Sequence, residues 1–196
     1  MNDRLRLLDR ALDQVSGQLG RFGPDQYGDP TPCPGWTVAT LAEHLVVDLG
    51  RFTEAAQGNR PDWSGAPPPV DSDWLGAFDQ GAATLRSAWR EVDDLDADGL
   101  DAMVSMRIGD VPRSFVLSQQ LAEFAVHAWD LDRASGHNGQ LDEELAETAL
   151  AWARQTLKPE FRGEGKPFGA EVPVPADAPA TDRLAGFFGR DPGWTR

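Results

Sequence analysis

Apolar residues recur at intervals of three and four along most of this chain, and each such run predicts a helix. Leu5, Leu8, Leu12, Val15 and Leu19, with Asp, Arg and Gln between them, give an amphipathic helix over residues 3–20. It stops in Gly20-Arg-Phe-Gly-Pro24, and irregular Gly/Pro-rich chain follows to Gly35. Prolines 30, 32 and 34 exclude a helix interior, whereas Thr37 is a good N-cap for what comes next. Val38, Leu41, Leu45, Leu49 and Phe52 mark a second helix ending near Gly58. After a loop over 58–70, Asp71 or Ser72 can cap a third helix carrying Trp74, Phe78, Leu85 and Trp89. It ends in the acidic run 91–101. Met103 to Ile108 with Gly109-Asp110 reads as a short extended segment and turn.

The fourth helix starts near Pro112 or Arg113 and ends at Ser135-Gly136, glycine being the usual stop. Leu117, Leu121, Phe124, Ala128 and Leu131 form its apolar face, with Gln120, Glu123, His127 and Asp130 as a polar stripe beside it. A fifth helix covers 142–157. The remainder, 158–196, is Gly/Pro-rich with one short helical stretch at 182–188. The expected fold is therefore all-α: an antiparallel four-helix bundle over residues 1–160 with an extra C-terminal helix. An irregular tail, 161–196, packs on the same domain.

Composition narrows the partners. A formal net charge of −14 on 196 residues repels nucleic-acid phosphates and anionic membrane surfaces. No apolar run reaches the roughly 20 residues of a membrane span. The N-terminus enters an amphipathic pattern with no signal peptide ahead of it, so a cytoplasmic location is expected. The single cysteine, Cys33, fits a reducing compartment; flanked by prolines and without an identifiable activating partner, it reads as a small buried hydrophobe.

Chemistry concentrates on the polar stripe. Glu123 and His127 are one helical turn apart, close enough for both side chains to converge on one point. That spacing also suits a solvated stripe or a helix-supporting pair. The chain has three histidines, and two of them, His44 and His127, fall inside apolar helices. Two imidazoles and one carboxylate with a position left open make a normal set for catalytic zinc, and also for iron or nickel. Asp48, four residues after His44, and Asp130, three after His127, are candidates for orienting a ligand or for chemistry; surface or capping roles suit them equally. His137, in a Gly/Asn-containing loop, suits a solvated role. Asp94, Asp96, Asp98 and Gly99 match the front half of a calcium loop, but Ser105 stands where a bidentate Glu should close it.

Thr31-Pro-Cys-Pro-Gly-Trp-Thr-Val38 with Leu41-Ala-Glu-His-Leu45, followed by Glu123-Phe-Ala-Val-His-Ala-Trp-Asp-Leu131 and Arg133-Ala-Ser-Gly136, resembles the actinobacterial branch of the DinB/YfiT-like metal-binding superfamily. It is similar to the N-terminal domain of mycothiol-dependent maleylpyruvate isomerases. Val172-Pro-Val-Pro-Ala-Asp-Ala-Pro179 and Gly189-Arg-Asp-Pro192 resemble a short, single-domain subfamily. The resemblance implies a DinB-like bundle holding zinc or nickel, with the family's ligands falling on His44, Glu123 and His127. It also implies a small-molecule thiol, mycothiol, as cosubstrate beside a small electrophilic substrate. Expected activities are thus a metal-dependent thiol S-transferase or a thiol-dependent isomerase, with a homodimer as a further expectation. The alternative is a non-catalytic metal-binding or interaction module. The isomerases carry a further C-terminal domain that the tail here does not resemble, so maleylpyruvate is not carried over.

Overall fold

The computed structural model describes residues 2–63, 73–94, 99–137, 139–163, 166 and 168–196. The chain forms helices α1 (Asp3–Leu19), α2 (Val38–Ala56) and α3 (Trp74–Asp94), then a hairpin of β1 (Met103–Met106) and β2 (Gly109–Pro112). Helices α4 (Arg113–Ser135), α5 (Glu143–Thr156) and α6 (Ala180–Phe187) follow, with single 3-10 turns at Pro24–Gln26 and Pro159–Phe161. Helices α1 and α2 each pack against both α3 and α4, which closes a four-helix ring. α5 lies on α4, and α6 lies across α5 and α4. The expected all-α, bundle-based fold is what forms. Among the described residues, no helix is long and apolar enough to cross a membrane.

The helix ends follow from local chemistry. Asn2 Oδ1 accepts the Arg4 N–H at 2.9 Å, and Thr37 Oγ1 accepts the Thr40 N–H at 3.2 Å. At the start of α5 the Asp142 carboxylate accepts the Leu145 N–H at 3.0 Å. The same carboxylate takes two hydrogen bonds of 2.6 Å from Arg10, so one side chain caps α5 and ties it to α1. Gly136 ends α4 at φ 71°, in the left-handed region that glycine enters without a Cβ clash.

Two features differ from the sequence expectation. The extended segment after α3 is half of an antiparallel hairpin, with Met103 paired to Pro112 and Met106 to Gly109, so its turn falls at Arg107 and Ile108. The short C-terminal helix begins at Ala180, two residues earlier than the apolar spacing suggests, and it makes a second helix beyond the four-helix ring. The third helix ends at Asp94, within the acidic run, as expected. The caps expected at Asp71 or Ser72, and the calcium-like Asp96 and Asp98, lie outside the described residues. Asp73 Oδ1 accepts the Gly76 N–H at 3.0 Å in the first turn of α3. Ser105, the position needed to close a calcium loop, sits in β1.

α4 is the axis of the molecule. It touches α1, α2, α5, α6 and β2, and both its apolar face and much of its polar stripe are buried. Gln120, His127 and Asp130 are enclosed and Glu123 is half-buried, so most of the stripe is turned away from water. Gln120 accepts a hydrogen bond from the Trp89 indole N–H at 3.0 Å, crossing from α4 to α3. Buried polar side chains on a central helix must find partners on its neighbours.

Candidate metal centre

His44 is placed by α2, and Glu123 and His127 by α4, where these two helices pack together. His44 Nε2 lies 2.6 Å from Glu123 Oε1, and His127 Nε2 lies 3.2 Å from the same oxygen. The three donor atoms are all within 4.8 Å of one another. Among the described residues they are the group of His, Cys, Asp or Glu side chains so gathered. Donor atoms around a tetrahedral cation with bonds of about 2.1 Å stand roughly 3.4 Å apart, which falls inside this range. Two neutral-capable imidazoles and one carboxylate are also the right donor chemistry for a borderline divalent ion. The residues fit such an ion.

The two histidines are held differently. His127 Nδ1–H donates to Asp130 Oδ2 at 2.9 Å, which turns Nε2 toward Glu123. Asp130 is itself gripped by Arg190 from the tail, with Nη2 at 2.9 Å from Oδ2 and Nε at 3.2 Å from Oδ1. Arg190 thus forks onto the carboxylate that orients the imidazole. His44 is a quarter exposed, and besides Glu123 it has Asp48 Oδ2 at 3.7 Å. Asp48 is buried and accepts from Arg51 Nη1 at 2.9 Å. Asp130 stands on the Nδ1 side of His127, away from the converging donor atoms. Asp48 falls outside the group of three.

Electrostatics in the metal-free state follows from this crowding. Burial alone would lower the pKa of His127, but Glu123 and Asp130 outweigh it and push the imidazole up to about 9. Burial would raise Glu123, yet His127 and hydrogen bonds to both imidazoles hold it well below the usual carboxylate range. Asp130 is likewise held low, since Arg190 and His127 overcome the effect of burial. Asp48 goes the other way: burial and the neighbouring Glu123 raise it despite His44 and Arg51.

Trp36 roofs the centre. Its ring is stacked on His127, with planes 13° apart and centroids at 6.0 Å, and meets His44 edge-on at 4.9 Å. The Pro-rich segment places it there. Pro34 and Gly35 (φ 78°) are the central residues of a tight turn in which the Cys33 carbonyl accepts the Trp36 N–H at 3.0 Å. Thr31 Oγ1 donates to the Trp36 carbonyl at 3.0 Å and accepts the Cys33 N–H at 3.2 Å, which locks the turn. Cys33 is half-buried rather than enclosed; burial pushes its thiol up to about 11, although Arg190 Nη2 donates to its sulfur at 3.6 Å. A thiol so disfavoured from ionising is a poor nucleophile. His137 is exposed in its loop.

Arg190 and Trp36 carry no ligand pattern of their own, and no role for either follows from sequence reading. Both lie in quoted motifs, Gly189-Arg-Asp-Pro192 and the proline-rich segment, and that is the signal available. A cavity of about 390 Å³ reaches Glu123 from the side of α5 and the tail.

The fold is that of the DinB-like proteins. A DinB-like protein of Bacillus subtilis matches it at TM-score 0.58 with 12% identity, covering 72% of this chain and 96% of that one. A mutant form of a mycothiol-dependent maleylpyruvate isomerase matches at TM-score 0.58 with 19% identity, covering 85% of this chain and 72% of that one. More particularly, residues 8–132 match the model of the mycothiol maleylpyruvate isomerase N-terminal domain, and the chain belongs to that family. All three converging residues and Asp130 fall within that span; Arg190 does not. Uncharacterized protein Rv0738 of Mycobacterium tuberculosis (strain ATCC 25618 / H37Rv) is 37% identical over 193 residues, spanning 96% of this chain and 98% of its own. Uncharacterized protein MT0763 of strain CDC 1551 / Oshkosh matches to the same extent.

Proposed function

We propose that this protein binds one divalent metal ion, zinc first and nickel or iron as alternatives, through His44, Glu123 and His127. With mycothiol as cosubstrate it then acts as a thiol S-transferase or thiol-dependent isomerase on a small electrophile. The observation that carries this is the meeting of two imidazole Nε2 atoms and one carboxylate oxygen at the α2–α4 contact, on the edge of a cavity. Family membership supports the thiol. A bound divalent cation would supply the positive charge that keeps a thiol sulfur ionised at neutral pH.

The chain's own residues do the rest. Glu123 contributes one negative charge, so a divalent site keeps a net positive charge for an incoming thiolate. Asp130 holds the Nδ1 proton of His127 and leaves Nε2 as its donor atom. Arg190 keeps Asp130 ionised in a buried place. Trp36 covers one side of both imidazoles and limits water there. The thiolate sulfur forms a bond to an electrophilic carbon, and a proton completes the adduct. Retention of that bond gives an S-conjugate; rotation followed by its cleavage returns the thiol and gives an isomer. The other reading, a non-catalytic metal module, needs a fourth protein ligand such as Asp48 or Asp130; Arg190 turns Asp130 away from that role, and Asp48, held by Arg51, falls outside the group of three donors.

Calorimetric titration of the metal-loaded protein with mycothiol tests the thiol, alongside absorption spectra after cobalt substitution. Heat with a thiolate-to-cobalt band is expected. Absence of both signals would remove the thiol from the account.

A further inference from the structure

The cavity beside Glu123 has a character that bears on the substrate. Its walls are mostly apolar and aromatic: Phe115 of α4, Trp152 of α5, and Phe161, Phe168 and Phe188 of the C-terminal segment, with Ile108 of the hairpin turn at its edge. Phe115 and Trp152 meet edge-on at 5.3 Å, and Phe168 lies 5.7 Å from Phe188. Among the described lining residues, the charged side chains are Glu123 and Arg107. Ile108, 64% exposed, and Phe161, 42% exposed, extend this apolar surface toward solvent.

We infer that this cleft receives the electrophile, and that the electrophile has an aromatic or similarly flat apolar body of one or two rings with its reactive carbon toward Glu123. This inference rests on the proposed function and names the substrate class for its site. Size supports it: an apolar cavity of about 150 Å³ already takes benzene, and this one measures about 390 Å³. Chemistry supports it as well. A polyhydroxylated body, such as the sugar part of a thiol cofactor, would leave its hydroxyls unpaired against these walls, whereas an aromatic ring finds edges and faces to pack on. Trp152, Phe161, Phe168 and Phe188 all lie beyond residues 8–132, the span that matches the family. The aromatic wall is therefore built largely by α5 and the C-terminal segment, with Phe115 of α4 and Ile108 of the hairpin completing it from the family-matching part.

Equilibrium dialysis with 2-acetylnaphthalene tests this, using myo-inositol as a polar comparator and chelator-treated protein without thiol. Retention of acetylnaphthalene and none of inositol is expected. Thr156→Trp fills the cleft from the last residue of α5, and Ile108→Asp places a charge at its exposed edge; each should weaken retention by about tenfold or more. Far-UV circular dichroism of both variants should match the parent. No retention by the parent overturns the inference, as does equal retention by the parent and both folded variants. Because metal and thiol are absent, the result is separable from the mycothiol titration. Retention without a mycothiol signal removes the thiol reading and keeps the cleft. A mycothiol signal without retention removes the apolar substrate and keeps the thiol.

Discussion

The α4 side of the candidate centre and the α2 side are built to different standards. His127 is buried, its Nδ1 is tied to Asp130, and Asp130 is tied in turn to Arg190, a chain that runs from the centre of α4 into the tail. His44 is a quarter exposed; Trp36 meets its ring edge-on, and the carboxylates it faces are ones that other groups already engage: Glu123, shared with His127, and Asp48, held by Arg51. One imidazole is held at both ring nitrogens, whereas the other is held at Nε2 and stands a quarter exposed. The difference teaches that folding and binding draw on the two histidines unequally.

The sharpest way to break that comparison is to remove each histidine in chelator and measure stability by urea. His127→Ala leaves Glu123 and Asp130 without their shared cation and should cost about 3 to 5 kcal/mol, the usual range when one member of a buried pair is lost. His44→Ala should cost about 1 kcal/mol, as expected for a partly solvated pair. Equal losses would end the asymmetry.

Arg190→Ala comes next. It strips Asp130 of the cation that keeps it ionised, and about 3 kcal/mol of stability should go with it. Metal affinity should fall roughly 10- to 100-fold, as when the residue orienting a ligand is lost. Arg190→Lys should recover part of both, since a single ammonium cannot reproduce the fork. Unchanged metal affinity in a folded Arg190→Ala protein would mean that the tail does not reach the centre.

A pH series then sharpens the role of His127. Its folded pKa, pushed up to about 9, lies above the ordinary 6.5. The charged form is therefore the one that folding favours in metal-free protein. Its contribution is fully present below about pH 6.5 and is lost as pH rises through about 9. Urea midpoints in chelator should decline across that window and decline less in His127→Gln. Metal should displace the same proton, so uptake near neutral pH should release acid, readable with an indicator dye.

The smallest effect belongs to Cys33. With its thiol pushed up to about 11, it should resist alkylation by iodoacetamide at neutral pH. Cys33→Ser should change metal content little and stability by about 1 kcal/mol or less.

Much of this was legible in residue order because local rules governed it. Leu5 to Leu19 and Val38 to Phe52 show one helical face each, and Thr37 and Gly136 end their helices by side-chain and backbone chemistry that acts within a few residues. Glu123 and His127 were legible for the same reason. What distinguishes a solvated stripe from a buried one is absent from spacing: α4 is enclosed because α1, α2, α5 and α6 surround it. Arg190 reaches Asp130 across 60 positions, and nothing near either residue announces the other. The cleft is equally hidden, since Phe115, Trp152 and Phe188 meet only after the tail folds back over α5. The hairpin strands have four residues each, too short for alternation to separate them from loop.

Elemental analysis of the purified protein beside His44→Ala and His127→Ala bears most directly on the shared ion. The account predicts roughly one divalent ion per chain in the parent and essentially none in either variant, with both variants folded at low urea. Metal content unchanged by both substitutions would contradict it, because the ion would then be held by other side chains.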